Sequence, residues 1–225
     1  NPSLAILLLD DVSQAHFARH LPKTMKMMMD QDFFMPSRYS QISNSSSENL
    51  DYILNGENGT SLVELMKERG CLTFLNVEIV EGMDNSIGQK THFSSDLFHR
   101  FNVERQQDEF CLANGESKAS SILTTMIDFS SSFRSSCHLS ITHLHSPSDR
   151  SLIGSIDDDL TTALSNFITT SSNTVLFILS PAGLLGTGLA GRVEGKSPLL
   201  SAWFPMSFRK ERNAHYSAFA WNMDK

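Results

Sequence analysis

Cysteine is scarce in this 225-residue chain, and its three copies, Cys71, Cys111 and Cys137, form no C-x-x-C. That spacing leaves a zinc ribbon or a thioredoxin-type site unsupported. In an oxidising compartment Cys111 and Cys137 are expected either to pair or to stand as buried thiols. Long hydrophobic runs are missing too: none reaches the roughly 18 residues of a membrane span. Positive charge is in deficit, with 18 Lys and Arg against 25 Asp and Glu and a net charge of −7. This balance argues against non-specific binding to nucleic acid or to an anionic membrane. No internal repeat divides the chain. Its first residues already read as a strand with no leader before them, so the expectation is a fragment or trimmed sequence whose leader lies outside it. Glycines 183, 186, 188 and 191 echo a phosphate-cradling loop, but they follow no strand directly and no P-loop Lys-Ser/Thr accompanies them. A nucleotide site is therefore set aside.

What is present is ordinary globular composition, 40% hydrophobic and 19% charged. A chain of this length can bury roughly 70% of its unfolded surface, enough to fold without a disulfide or metal. Two apolar runs stand out. Thr174–Leu179 is bounded by Ser-Asn before and Ser180-Pro181-Ala182-Gly183 after, and Leu4–Leu9 ends in Asp10-Asp11. Continuous runs of this kind read as strands buried on both faces of a parallel sheet. Between them the pattern predicts helices after Ser13 (with Phe17 and Leu21 inward), at Thr24–Met29, from a cap at Ser46 or Ser47 to Leu54, over Ser61–Arg69 and over Ser120–Phe133. A further helix is expected to start at Ser155 with Asp157–Asp159 in its first turn, where the helix dipole favours acids. The methionine run within Thr24–Met29 reads as core filler. Strands are expected at Cys71–Val80, His138–Leu144 and Leu199–Phe204. Ser37–Glu48 and the stretch to Asp149 read as loops, Glu81–His99 as irregular, and Gly183–Gly195 as a glycine-rich loop. Strands alternating with helices indicate an α/β fold, a largely parallel sheet between helical layers.

In such sheets function gathers beyond the carboxyl ends of the strands. There the chain places Asp10-Asp11, His143-x-His145 and Ser180, with hydroxyls at Ser45–Ser47. Carboxylates, imidazoles and a helix-start hydroxyl on one edge are the parts of a metal-assisted phosphoryl or sulfuryl hydrolase. Each part also has a plainer use. Asp10 and Asp11 can end a strand and cap the next helix, and Ser46 sits in a serine cluster and within the sequon Asn44-Ser45-Ser46. His143 and His145 share a face on a regular strand, as a shared site or simply as a packed or surface pair.

The order of these segments resembles an uncharacterised, sulfatase-like family of animal proteins in the alkaline-phosphatase superfamily. Leu8-Leu9-Asp10-Asp11-Val12-Ser13 followed by Leu21-Pro22-Lys23-Thr24 is similar to its L-x-x-D-S-x-S … L-P-K-T. Asn49, Leu50, Leu54 and Gly56 fit N-T-x-P-N-L-x-x-x-L-x-G, with the nucleophile position on Ser46. His145 and Asp157 resemble S-H-D … D, and Asn173-Thr174 through Gly183 resembles N-T-x-x-x-x-x-S-D-H-G. Gly191-Arg192-Val193-Glu194 with Pro198 resembles G-R-x-E-x-x-x-P. The resemblance runs from residue 4 to about residue 205. It implies an alkaline-phosphatase-like fold, a secreted or lumen-facing parent protein, and divalent metal such as zinc held in part by Asp10 and His145.

The departures shape the functional expectation. Pro181 and Ala182 replace the Asp-His pair that supplies two metal ligands in the superfamily, and neither side chain can coordinate an ion. Ser146 stands where the family has an acid, the stretch between Val77 and Phe101 is compressed, and no C-x-P-S-R for formylglycine surrounds any cysteine. Losing ligands costs more than the roughly 10–100-fold typical of altered supporting contacts. The expectation is one α/β domain over residues 1–225, incomplete at its ends, that is a pseudoenzyme needing no cofactor. Asp10 and His145 would be vestigial metal positions and Ser46 a vestigial nucleophile. The competing expectation is a metal-dependent hydrolase of phosphate or sulfate esters using Ser46, and a third is an incomplete gene product. With sequons at Asn44 and Asn58, a glycoprotein is expected if the chain is secreted. No particular partner is indicated.

Overall fold

The computed structural model describes residues 2–36, 38–56, 59–77, 90–96, 110–112, 114–145, 150–183, 186 and 188–223. Several sequence expectations lie outside these residues: Asn58 of the second sequon, residues 78–80 of the Cys71 strand, most of Glu81–His99 with the compressed stretch, Ser146, and the approach to Asp149. The organising element is β1 (Ser3–Leu9). Its alternate residues Ala5, Leu7 and Leu9 enter one core cluster, and Ile6 and Leu8 enter another on the opposite face. A strand buried on both sides must be apolar at every position, which is why the period-two alternation is absent from its sequence.

After β1 the chain forms α1 (Gln14–His20), α2 (Pro22–Asp30), α3 (Ser46–Asn55), α4 (Leu62–Glu68), β2 (Leu72–Val77) and β3 (Phe93–Asp96). There follow α5 (Lys118–Ser132), β4 (His138–Leu144), a 3₁₀ turn (Arg150–Ile156), α6 (Asp157–Thr170), β5 (Thr174–Leu179), α7 (Gly188–Gly195), β6 (Leu200–Trp203), α8 (Met206–Glu211) and α9 (Asn213–Met223). The sheet order is β3-β2-β4-β1-β5-β6. The first five strands in that order run parallel, and β6 is antiparallel to β5. Helices cover both faces, so the expected α/β class with a largely parallel sheet holds. One core cluster joins β1 to α1, α2, α5 and α6, and the other joins it to α3 and α4.

Local details depart from the sequence reading in instructive places. The cap of α3 is Ser45, whose hydroxyl accepts from the Glu48 amide at 3.4 Å, so Ser46 is the first helical residue and not the cap. Ser155 does not cap α6; it lies in the 3₁₀ turn, and α6 starts without a side-chain cap. The acids at its start have tertiary partners instead: buried Asp157 receives the Lys23 and Thr24 amides of α2. Residues 93–96, expected to be irregular, pair with β2 as an edge strand. Of the methionine run only Met28 is fully buried, while Met29 is 66% exposed.

The cysteine expectation is corrected outright. Cys137 pairs with Cys71, not Cys111, and Cys111 is the free thiol. The reason is register: Leu72 lies beside His138, so Cys71 and Cys137 immediately precede neighbouring parallel strands. The loop expected over Gly183–Gly195 contains α7, folded back tightly on the end of β5. A Cβ on Gly183 would lie 2.2 Å from the Glu194 carbonyl oxygen, and one on Gly191 would lie 2.3 Å from the Gly186 backbone. These glycines serve backbone contact, not a phosphate cradle.

Candidate functional site

Parallel register brings the polar strand ends together. Leu8 lies beside both His143 and Leu179, and Leu9 beside Leu144. Asp10, His145 and Ser180 therefore emerge at one edge of the sheet. Asp10 is held by both of its carboxylate oxygens: His143 Nε2 is 2.6 Å from Oδ1 and His145 Nδ1 is 3.0 Å from Oδ2. His143 lies near the end of β4 and His145 just beyond it, and both turn to Asp10. Burial pushes the Asp10 carboxyl upward, but hydrogen bonds and charge from His143 and His145 outweigh it and hold Asp10 below the usual carboxylate range. His143, which the family resemblance passes over in favour of His145, makes the shorter contact and is the more enclosed of the two. Its spacing from His145 was the available signal.

Asp11 follows in a left-handed conformation, φ 51°, which turns the chain out of β1 and into α1. The Ser46 hydroxyl, at the exposed first position of α3, donates to Asp11 Oδ1 at 3.4 Å. The structure thus gathers Asp10, His145 and Ser46 around the same strand ends. It adds His143 and Asp11 to them. Neither Asp10 nor Asp11 caps α1; Ser13 does, accepting from the His16 amide at 3.0 Å.

On the β5 side the chemistry is different. Ser180 is fully buried, accepts from the Val12 amide at 3.0 Å and donates to the Ala182 carbonyl at 2.6 Å. Its hydroxyl is spent on pinning β5 to the turn after β1. Pro181 and Ala182 are buried beside it and offer no side-chain donor atom. Glu194 is occupied elsewhere, in a two-pronged ion pair with Arg19 at 2.7 and 2.9 Å that ties α7 to α1. The Arg19 guanidinium holds its carboxyl below the ordinary value. Among the described residues no group of three or more His, Cys, Asp or Glu is placed to hold an ion. Of the positions that the family resemblance assigns to a metal centre, Pro181 and Ala182 carry no side-chain ligand atom, while Asp10 faces two imidazoles.

Comparison with solved structures decides the architecture. A protein of the alkaline phosphatase superfamily from Vibrio parahaemolyticus superposes with a TM-score of 0.68 at 11% identity, over 91% of this chain and 60% of that one. The fold is that of the alkaline phosphatase superfamily. The same fold is seen in the C-terminal periplasmic domain of EcEptC from Escherichia coli in complex with zinc (TM-score 0.61, 12% identity, 93% of this chain and 75% of that one). It recurs in the phosphonate monoester hydrolase SpPMH from Silicibacter pomeroyi (TM-score 0.63, 8% identity, 92% and 68%). The chain spans 60% of the length of the Vibrio protein. At the sequence level, residues 1–79 match the profile of a family described as "Protein of unknown function (DUF229)", consistent with a sulfatase-like family. No curated protein matches the chain by sequence. Among the described residues, no helix of this alkaline-phosphatase fold is long and apolar enough to cross a membrane.

Proposed function

We propose that residues 1–225 form one domain that keeps an alkaline-phosphatase-like scaffold without its catalysis, a pseudoenzyme whose strand-end cleft is retained for binding. The observation that carries this reading is the end of β5, where Pro181 and Ala182 are buried at the positions to which the family resemblance assigns a metal-ligating Asp-His pair. Metal catalysis needs about three protein ligands per ion and an open position. Asp10 with His143 and His145 would supply one such set at most, and the end of β5 adds no side-chain ligand for a second ion. In this reading Asp10, His145 and Ser46 are vestigial positions. The Cys71–Cys137 disulfide, the exposed sequon at Asn44 and the periplasmic setting of the EcEptC domain support a secreted or lumenal glycoprotein.

One observation favours the competing reading, a hydrolase of phosphate or sulfate esters. Ser46 is exposed at a helix start beside Asp11, where a hydroxyl nucleophile could attack with one ion held through Asp10 and His145. The deciding experiment loads the folded protein with zinc, dialyses it against metal-free buffer and assays both metal content and turnover of phosphate and sulfate esters. The expected result is no retained ion and no turnover. Stoichiometric zinc and turnover, both lost in Asp10→Ala and the turnover in Ser46→Ala, would overturn the pseudoenzyme reading.

A further inference from the structure

The turn that leads into α3 is held by its own side chains. Buried Asn49 accepts the Ile42 and Ser43 amides through Oδ1 and donates Nδ2 to the Ser43 carbonyl. The Ser43 hydroxyl donates to Glu48 and accepts from the Ser45 amide. Ser45 caps the helix and meets the Ser47 hydroxyl at 2.9 Å, and Ser46 donates to Asp11. Asn44 stands apart. It is exposed, and of residues 43–49 it is the one whose side chain takes no hydrogen bond among the described residues. An asparagine in a turn ordinarily bonds nearby backbone. Here Ser43, Ser45 and Asn49 fill that role, and the Asn44 carboxamide is left to solvent.

Asn44 also opens the sequon Asn44-Ser45-Ser46, with no proline in the middle. The Cys71–Cys137 disulfide belongs to an oxidising compartment, the setting in which sequons are used. We infer that Asn44 carries an N-linked glycan that stands over the first turn of α3 and screens Ser46 from large molecules. The Ser46 hydroxyl is then kept as the third residue of a sequon and not as a nucleophile. The inference deepens the pseudoenzyme reading and rests on the secreted or lumenal placement within it.

In the transfer Asn44 Nδ2 gives up one proton to solvent and bonds the anomeric carbon of a lipid-pyrophosphate-linked oligosaccharide. The bond from that carbon to the pyrophosphate oxygen breaks, and the lipid pyrophosphate leaves with the electron pair. Because the Asn44 side chain is exposed and bonds nothing in the turn, the fold accepts the product without losing a contact. A glycan is bulky and belongs on the surface. Two residues on, exposed Ser46 has its hydroxyl on Asp11, the neighbour of Asp10. The glycan therefore stands on the approach to the strand ends from the α3 side, where it obstructs a macromolecule and leaves small ligands free to enter.

The test uses the chain secreted from cultured animal cells, before and after native treatment with the amidase PNGase F. Mass spectrometry should find Asn44 glycosylated, and converted to aspartate by the amidase. Asn58→Gln removes the second sequon, so that a gel shift in this background reports Asn44 alone. There Ser46→Ala and Asn44→Gln should abolish the shift, and Ser46→Thr should retain it. Screening is read in Cys111→Ser protein carrying Ser47→Cys, in the first turn of α3, or Lys210→Cys, near the end of α8. Helix α8 lies at the opposite edge of the sheet, where Ser207 donates to the Ser172 carbonyl ahead of β5. A maleimide bearing a polyethylene glycol chain should label Ser47→Cys several-fold more slowly before the amidase than after it, and Lys210→Cys at one rate throughout. Unmodified Asn44 in secreted protein that unfolds cooperatively overturns the inference. Labelling of Ser47→Cys that is indifferent to glycan removal overturns the screening of Ser46. The two readings fail separately: the mass of the Asn44 peptide decides the glycan, and ester turnover by the same preparation decides the pseudoenzyme.

Discussion

Asp157 closes the start of a helix that begins far earlier in the chain: its Oδ1 accepts from the Thr24 amide at 2.9 Å and from the Thr24 hydroxyl at 2.7 Å. Its second oxygen takes the Lys23 amide at 3.0 Å. Helix α2 opens with Pro22 and has no capping side chain of its own, so this carboxylate accepts from its first-turn amides across from α6. The L-P-K-T and Asp157 segments, which family resemblance suggests belong to the same pattern, are thus joined by a structural contact.

Replacing Asp157 with alanine leaves two backbone donors and a hydroxyl buried without that acceptor. Urea unfolding should show a loss of about 2–3 kcal/mol with an unchanged m-value. Asp157→Asn, which keeps a carbonyl acceptor, should recover part of it. A neutral Asp157→Ala would mean that water or a shifted helix start replaces the carboxylate.

His138 gives the protein a pH dependence of calculable sign. Burial pushes its imidazole below the ordinary value of 6.5, although the Ser136 and Phe133 carbonyls facing Nδ1 act in the opposite direction. The unfolded chain therefore binds more protons than the folded one just below pH 6.5. Stability from this site is complete above that pH and is lost as pH falls through the folded value. His138→Phe should flatten the dependence of urea midpoint on pH between about 7 and 5. An unaltered slope would assign the effect to other groups.

The disulfide closes a span of 66 residues between Cys71 and Cys137. Chain-entropy reasoning assigns such a loop about 4 kcal/mol, with measured values more often about 2–4 kcal/mol. Cys71→Ser with Cys137→Ser should lower the thermal midpoint by a corresponding amount, and Cys111→Ser should not. Mass spectrometry of non-reduced peptides should find Cys111 unpaired.

Gly183 has no room for a side chain. Its Cβ would press on the Glu194 and Gly195 carbonyl oxygens, at 2.2 and 2.8 Å, and Gly183 also donates its amide to Gly195 at 3.1 Å. Gly183→Ala should cost about 1–3 kcal/mol, seen as a lower thermal midpoint. Because the displaced segment carries Glu194, the variant should also weaken its pairing with Arg19. A crystal structure with that pair intact and an unchanged midpoint would contradict this account.

Much of the scaffold was legible before any coordinates. The runs Leu4–Leu9 and Thr174–Leu179 identify buried parallel strands because such strands need apolar residues at every position. The inward residues Phe17 and Leu21 follow from helical spacing, and both are buried. Helix starts were less legible. Ser45, Ser46 and Ser47 are chemically alike, and only backbone geometry selects Ser45 as the cap. At α6 the local acids and Ser155 suggested self-capping, whereas Asp157 is committed to Thr24.

For the site, sequence alone determined which side-chain donor atoms exist: the side chains of Pro181 and Ala182 cannot bind a metal in any fold, because they carry no ligand atom. It also placed Asp10, His143 and His145 near strand ends. What tertiary structure decided was who meets whom. Parallel register set both histidines on Asp10 and paired Cys71 with Cys137, and the packing of α3 brought Ser46 to Asp11. Side-chain chemistry is a property of each residue alone, whereas these partnerships depend on strand order, register and helix packing between segments far apart in the chain, which no local pattern encodes.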